Sequence, residues 1–407
     1  MKLILILFLS FLFISTIDSQ PLDTAFWEYP VKTPPHSGII DVEEFQKGYL
    51  VLMFTYGTST NFEYVYRLLH VDEAGGLLWQ MENLTTGSGL FTGPNLEVWG
   101  DNVFLTATVR NGNEPSFFTS LYLDDKTMQL SIIDSFPLPP QQFVEFHEFI
   151  RLKHDSDKRV LVSSVSELAS FQFNLMVEMD KSGHFTKSLE LSELPPRRII
   201  DFQEIMADSL FFAAVWTGPY NYVFNKKGEV VDTVNNKVEV EFGGKTTNIL
   251  TQSNGGVLLG EKLLMGAQHS YGFGLSSPFE LHMQAVSADT NLDFEIREVY
   301  PLLPEDHGLD FYSIVQTVVD DENNLYIIGS ELYQPLNGVV DTGSLIITKV
   351  SPSGEVVWQE QFNNGTEFEL FDAIFDSNGN LLIAGSYWGN SVPIVRRNFI
   401  LKFSTDG

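Results

Sequence analysis

The sequence contains no cysteine, which excludes disulfides, thiolate metal sites, cysteine nucleophiles and cysteine-linked lipid anchors, and leaves a packed core as the source of stability. Basic residues are scarce: 24 Lys and Arg stand against 53 Asp and Glu, for a formal net charge of -29. A surface of that sign repels phosphate backbones and anionic membranes, so no nucleic acid partner is expected. Long apolar runs are missing too. Past the N-terminus nothing approaches the roughly 18 unbroken apolar residues of a spanning helix, and no membrane span is expected. There is no HExxH, GxSxG, phosphate-binding loop or GxGxxG, and no stretch sustains a helical apolar period.

What the sequence does have begins with "MKLILILFLSFLFISTIDSQ": one lysine, an apolar core from Leu3 to Ile14 broken only by Ser10, and a polar tail. This reads as a secretory signal peptide over residues 1–19, cleaved after Ser19, its apolar core too short to cross a bilayer. The expected product is secreted, extracellular or held in the cell envelope, with residues 20–407 forming one domain.

Repeats come next. "IVQTVVDDENNLYIIGSELY" with "SLIITKVSPSGEVVWQEQF", and "LFDAIFDSNGNLLIAGSYW" with "NFILKFSTDG", share one phrase. An apolar run, a tight turn, a second run ending in Gly-Ser, a polar stretch, a third run and a Gly-centred turn follow one another, and the first copy adds a fourth run holding Trp358. A remote copy, "YLVLMFTYGTSTNFEYVYRLLHVDEAGGLLWQMENL", keeps Gly75 four residues before Trp79, as Gly354 stands before Trp358. Short runs rich in Val, Ile, Leu, Phe and Tyr, punctuated by Asn, Asp, Gly and Ser, signal strands and hairpins. Turns after the third run fall near Gly75, Lys126, Gly183, Gly228, Thr290, Gly354 and Gly407, the spacing of propeller repeats of about 40 to 50 residues with insertions. The expected fold is all-β: a seven-bladed β-propeller of four-stranded antiparallel blades, with six or eight blades left open by the weaker middle of the chain.

The last repeat ends at "LKFSTDG" without its tryptophan run, while Trp27 in "DTAFWEYP" stands four residues after Asp23. Joined head to tail, the two ends complete the phrase. The N-terminal strand, about residues 24 to 31, is therefore expected as the fourth, outer strand of the last blade, pairing an edge that would otherwise template aggregation.

The phrases "DSNGNLLIAGSYW", "NFILKFSTDG", "DDENNLYIIGS" and "LIITKVSPSGEVVWQEQF" resemble the bacterial β-propeller repeat family, related in form to the quinoprotein-like propellers. The resemblance implies an exported or surface protein and brings no common catalytic residues with it. No calcium and quinone pocket of Asp and Asn residues assembles from this sequence, and no cofactor is expected.

Chemistry-bearing residues are sparse. The eight histidines show no metal-ligand spacing. His147 and His154, seven residues apart on a strand, would point to opposite faces more than about 20 Å from each other. "DSNGN" and "DDENN" look like pieces of a calcium loop, yet Asn-Gly and Asn-Asn are what a tight hairpin turn requires, and no metal site is expected. Trp27, Trp79 and Trp358 recur at one place in outer strands and read as packing between blades. "NLT" at Asn83 and "NGT" at Asn364 fit glycosylation sequons.

The connections between second and third runs are long and differ from repeat to repeat, whereas the other turns are short. Variable loops on a rigid scaffold are where binding resides. These loops carry Tyr220, Tyr271, Phe273, Tyr333 and Trp388, with His269 and the basic pair Arg396 and Arg397. The expected function is a binding or interaction module, a monomer receiving an extracellular protein or glycan on that face. The alternatives are an exported propeller enzyme of lyase, hydrolase or quinoprotein type with a site at the central axis, and a purely structural envelope protein. The inner runs offer few convergent ionisable groups for the enzyme beyond Glu145, His147 and Glu148.

Overall fold

The structure, a computed structural model, describes residues 24–29, 37–56, 64–82, 84, 90–110, 115–140, 143–145, 150–151, 157–167, 170–195, 199–206, 210–215, 220–235, 237–242, 245–259, 262–270, 279–288, 294–301, 311–320, 322, 324–333, 342–351, 355–363, 368–388 and 396–404. Residues 1–19, read above as a signal peptide, the asparagines of both sequons, His147 and His154 lie outside them. The described residues contain no helix, and all their regular structure is antiparallel strand.

Strand β1 (Thr24–Tyr29) precedes the first sheet, in which β2 (Ser37–Phe45), β3 (Gly48–Tyr56), β4 (Tyr64–Asp72) and β5 (Leu77–Glu82) pair in chain order. The second sheet repeats that order with β6 (Leu90–Trp99), β7 (Asn102–Arg110), β8 (Pro115–Asp124) and β9 (Gln129–Pro140). In the third, β10 (Phe143–Glu145) and β11 (Ile150–Arg151) both pair with β12 (Lys158–Glu167), followed by β13 (Ser170–Asp180) and β14 (Phe185–Glu190). The fourth holds β15 (Ile199–Met206), β16 (Leu210–Val215), β17 (Tyr220–Asn225) and β18 (Val230–Asn235). The fifth holds β19 (Lys237–Phe242), β20 (Lys245–Leu259), β21 (Lys262–Ser270), β22 (Phe279–Ala288) and β23 (Phe294–Pro301). The sixth is β24 (Phe311–Val319), β25 (Leu325–Tyr333), β26 (Thr342–Val350) and β27 (Val356–Asn363). The seventh is β28 (Phe368–Phe375), β29 (Leu381–Trp388), β30 (Arg396–Phe403) and, on its outer side, β1.

Two sheets depart from the expected four strands. The third has its first strand broken in two, and the fifth gains β19, which pairs antiparallel with residues 245–250 of β20, from Phe242↔Lys245 to Lys237↔Leu250. "KVEVEF" alternates Val and Glu before two glycines, a hairpin signature that the search for a four-run phrase passes over.

The N-terminal strand pairs with β30 from Thr24↔Phe403 to Tyr29↔Asn398. The tryptophan equivalence does not hold, however. Trp79 and Trp358 face His70 and Lys349, while Trp27 faces Ile400, and Lys402, the counterpart of Lys349, faces Ala25. Trp27 therefore sits two rungs away from the place of the other two. A bulge precedes Trp79 and Trp358, none interrupts the β1 ladder, and no hairpin turn fixes the register of β1.

Packing follows from the second strands, which outside the fifth sheet bury side chains on both faces. In β3, Tyr49, Val51 and Met53 join Leu382, Ala384 and Ile400 of the seventh sheet, while Leu50 and Leu52 join Leu96, Leu105 and Leu121 of the second. In β12, Leu161 packs with Phe104 and Phe118 of the second sheet, and Val160 and Val162 with Phe211 and Phe224 of the fourth. In β29, Leu381 and Ile383 meet Tyr326 and Ile347 of the sixth, and Leu382 and Ala384 meet the first. The strand period of two sends neighbouring side chains to opposite sides, so the first, third and seventh sheets each pack against two others. Neighbouring sheets meet along their first or second strands: β2 lies by β6, β6 by β10, the second strand β12 by β15, β15 by the second strand β20, β20 by β24, β24 by β28, and β28 by β2.

Polar clamps run across these contacts. The Asp41 carboxylate accepts the Leu96 N–H at 2.7 Å, Asp372 accepts that of Val42 at 2.8 Å, and the Ser164 hydroxyl accepts that of Ile199 at 3.0 Å. Asp41 and Asp372 hold the same place in their sheets, the residue where the ladder resumes after a bulge in the first strand. A bulge removes a residue from its ladder and re-aims a side chain, here towards the backbone of the next sheet. Asp41→Ala strands the buried Leu96 N–H and should cost about 2 to 3 kcal/mol in chemical denaturation, with a smaller loss for Asp41→Asn, whose amide oxygen still accepts.

Candidate functional site

The residues expected to bind fall at one end of four consecutive sheets, where the second strand leaves and the third enters. Tyr220 opens β17 and is 42% exposed; His269 is the last residue but one of β21; Tyr333 ends β25; Trp388 ends β29. Arg396 and Arg397 open β30, in register with Trp388 and Tyr387, and Arg397 is exposed. Tyr271 and Phe273 lie outside the described residues, as do the joining loops themselves. The register thus sets an aromatic residue of β29 directly beside a cation of β30, and brings His269 opposite Glu280.

At the other end of the sheets the short turns are built alike. Asp376 accepts the N–H groups of Asn378 and Asn380 at 3.0 and 2.8 Å, and Asp320, Asp180, Asp72 and Asn225 do the same for the second and fourth residues after themselves. Gly379, with φ of 78°, adopts the left-handed conformation that closes the loop. The "DSNGN" carboxylate is thus engaged by its own turn. Among the described residues no three His, Asp or Glu side chains are placed to hold a metal ion.

Ionisable groups that are buried serve the junctions. Tyr49 donates to Asp376 at 2.8 Å, and the Lys402 ammonium sits 3.0 Å from the same carboxylate oxygen and donates to the Tyr49 oxygen at 2.7 Å, tying β3 to the seventh sheet. Burial pushes the Asp376 carboxyl up, but the bonds from Asn380, Lys402 and Tyr49 outweigh it and leave its pKa below the ordinary value. Burial, and then the bond to Asp376, raise the Tyr49 phenol well above its ordinary value, so it remains a donor. Between the second and third sheets, Arg159 pairs with Glu97 at 2.7 Å and donates to the Val98 carbonyl at 3.3 Å, its guanidinium 5.0 Å from the centre of the Trp99 ring.

Sequence reasoning reached neither these junctions nor the cleft that Trp99 lines. Trp99 ends β6, outside the Gly-to-Trp spacing of the repeat, and its surroundings are assembled from two sheets.

No family model matches the chain, and no curated protein matches it. Solved structures similar to it include the periplasmic gluconolactonase of Pseudomonas aeruginosa, at 11% identity over 89% of this chain and 95% of that one with a TM-score of 0.48. A neuraminidase-like protein of A/little yellow-shouldered bat/Guatemala matches at 9% identity over 91% and 98%, with a TM-score of 0.40. The WD40 domain of SCAP from fission yeast matches at 10% identity over 94% and 98%, with a TM-score of 0.37. The architecture described above rests on this chain's own strand order and sheet neighbours.

His70 gives the fold a pH dependence. It is buried, edge-on to both Phe45 and Trp79 at ring-centre distances of 5.3 Å. Burial outweighs the backbone of Phe45 and the carboxylates of Asp125 and Asp72 and lowers its pKa. The unfolded chain binds the proton more readily, so this contribution is fully present above about pH 6.5 and is lost as the pH falls below that value. In denaturation curves collected from pH 7.5 to 5, His70→Phe should lose less stability than the parent chain; parallel losses would remove His70 from the account.

Proposed function

We propose that the chain is a secreted, monomeric, seven-bladed β-propeller that works as a binding module, taking an extracellular protein or glycan on the edge formed by the connections between second and third strands. The observation that carries this is the placement of Tyr220, His269, Tyr333, Trp388, Arg396 and Arg397 at that one end of the fourth to seventh sheets. Aromatic side chains bury much area at small entropic cost, and a rigid sheet beneath them holds them in place. The reading of a ring is supported by the neighbour order of the inner strands, which passes from β2 through β6, β10, β12, β15, β20, β24 and β28 back to β2, and by β1 on the outer side of β30. With a net charge of -29, a neutral or cationic partner is favoured, and Arg396 and Arg397 are the local exception.

The test is a glycan array and a panel of co-secreted proteins, followed by the triple variant Tyr220→Ser, Tyr333→Ser, Trp388→Ser. Affinity for the partner so found should fall at least about tenfold with melting unchanged. If it stays within error while changes in the short turns weaken it, the binding edge is the opposite one. The ring itself is tested separately: deleting residues 20–31 bares the edge of β30, and the truncated chain should self-associate and melt earlier. A truncated chain that stays monomeric with unchanged melting would overturn closure through β1.

A further inference from the structure

A cleft of about 590 Å³ opens between the second and third sheets, at the end opposite the proposed binding edge. Its wall is aromatic. Trp99 meets Phe104 edge-on at 6.1 Å, and Phe104 meets Tyr122 at 5.8 Å. Its rim is polar: Asn102 from the second sheet, and Asp157, Lys181 and Ser182 from the third.

The cleft is held in shape from beneath and from the side. Arg159, buried and ion-paired with Glu97, lies over the Trp99 ring and fixes it. Gly183, with φ of 83°, lets the turn between β13 and β14 press against Phe104, because a Cβ there would stand 2.6 Å from the ring. That turn carries Lys181 and Ser182 to the rim. Lys181 is bonded to Asp157 twice, side chain to side chain at 3.0 Å and N–H to carbonyl at 3.1 Å.

The chemistry of this lining selects for a neutral, hydroxyl-rich ligand. The one cation and one anion of the rim neutralise each other, so a charged ligand has to displace the pair. Asn102, Ser182, Asp157 and Lys181 offer donors and acceptors that match hydroxyl groups, which do both. The partly exposed rings of Trp99 and Tyr122, backed by the buried Phe104, are suited to the apolar C–H faces of a sugar ring. We propose that this cleft is a saccharide-binding site, separate from the edge between second and third strands.

The experiment uses the full chain with glucose, galactose, mannose and N-acetylglucosamine as probes, read by saturation-transfer NMR and calorimetric titration. At least one should bind saturably with a Kd of about 1 mM, the range for a monosaccharide of about a dozen heavy atoms on an open site. The exposed pair Asn102→Ala and Ser182→Ala should weaken it about tenfold without changing the melting curve, and Trp99→Phe should weaken it less than Trp99→Ala. Absence of saturable binding by all four sugars overturns the proposal. So does binding that survives the Asn102/Ser182 pair, or that is abolished only by the Tyr220, Tyr333, Trp388 variant, which would send the sugar to the other edge.

Discussion

The second strand of each well-described sheet is apolar on both faces, and the rest of the structure follows from having to cover both. Tyr49, Val51 and Met53 point one way from β3 and Leu50 and Leu52 the other, each essentially removed from water. Burying one such side chain is worth about 1.5 to 3 kcal/mol, so a sheet with one face bare forgoes several times that amount. A row of sheets always has two bare faces, at its ends. Here the seventh sheet packs on the first, as the first packs on the second, so the first sheet has no bare face.

That last junction is the costly one to form. The Val42–Asp372 bond joins residues 330 positions apart, and closing a loop of that length costs on the order of 5 kcal/mol in chain entropy. It is also heavily fastened. Besides its apolar cluster it holds the Asp372 clamp, the Tyr49–Asp376–Lys402 group, two bonds from Ser377 to Glu44 at 2.6 Å, and one from Asn398 to Ser37 at 3.1 Å. The Asp372, Tyr49–Asp376 and Asn398 bonds satisfy polar groups that burial would otherwise leave unpaired, and each clamp works in one relative placement of the two sheets. Apolar faces slide past one another at small cost; a carboxylate aimed at a single N–H does not.

The parts of this design that repeat were legible in the sequence, because a turn writes itself locally: "DSNGN", "DENN" and "DEAGG" each hold the side-chain acceptor and the residue that can turn left-handed. The parts that depend on two sheets meeting were not. Asp41 and Asp372 occupy one structural position, but nothing in "DVEEF" or "DAIF" says that a bulge will aim them at another sheet. The place of Trp27 was misjudged for a related reason, since residue spacing was taken for register while bulges changed the count. The fifth sheet went astray where a strand of fifteen residues serves two partners in turn. At the candidate edge the positions of Tyr220, Tyr333 and Trp388 followed from the phrase alone, whereas the cleft beside Trp99 could not, being made of a wall from one sheet and a turn from the next.

The acidity of the chain has its own structural reason. Among the described residues each sheet ends on a strand that has a ladder partner on one side only, an invitation to strand addition from other molecules. Several of those strands also expose apolar side chains: Leu77 and Leu78 on β5, Ile132 on β9, Val231 on β18, Val356 and Val357 on β27. Glu82, Glu190, Asp232 and Glu355 stand in or beside such strands, so two copies approaching edge to edge bring like charges together before a ladder can form. An excess of carboxylates thus guards the outer rim, and it leaves the two ends of the sheets, where aromatic residues gather, as the surfaces on which a neutral or cationic ligand meets least opposition.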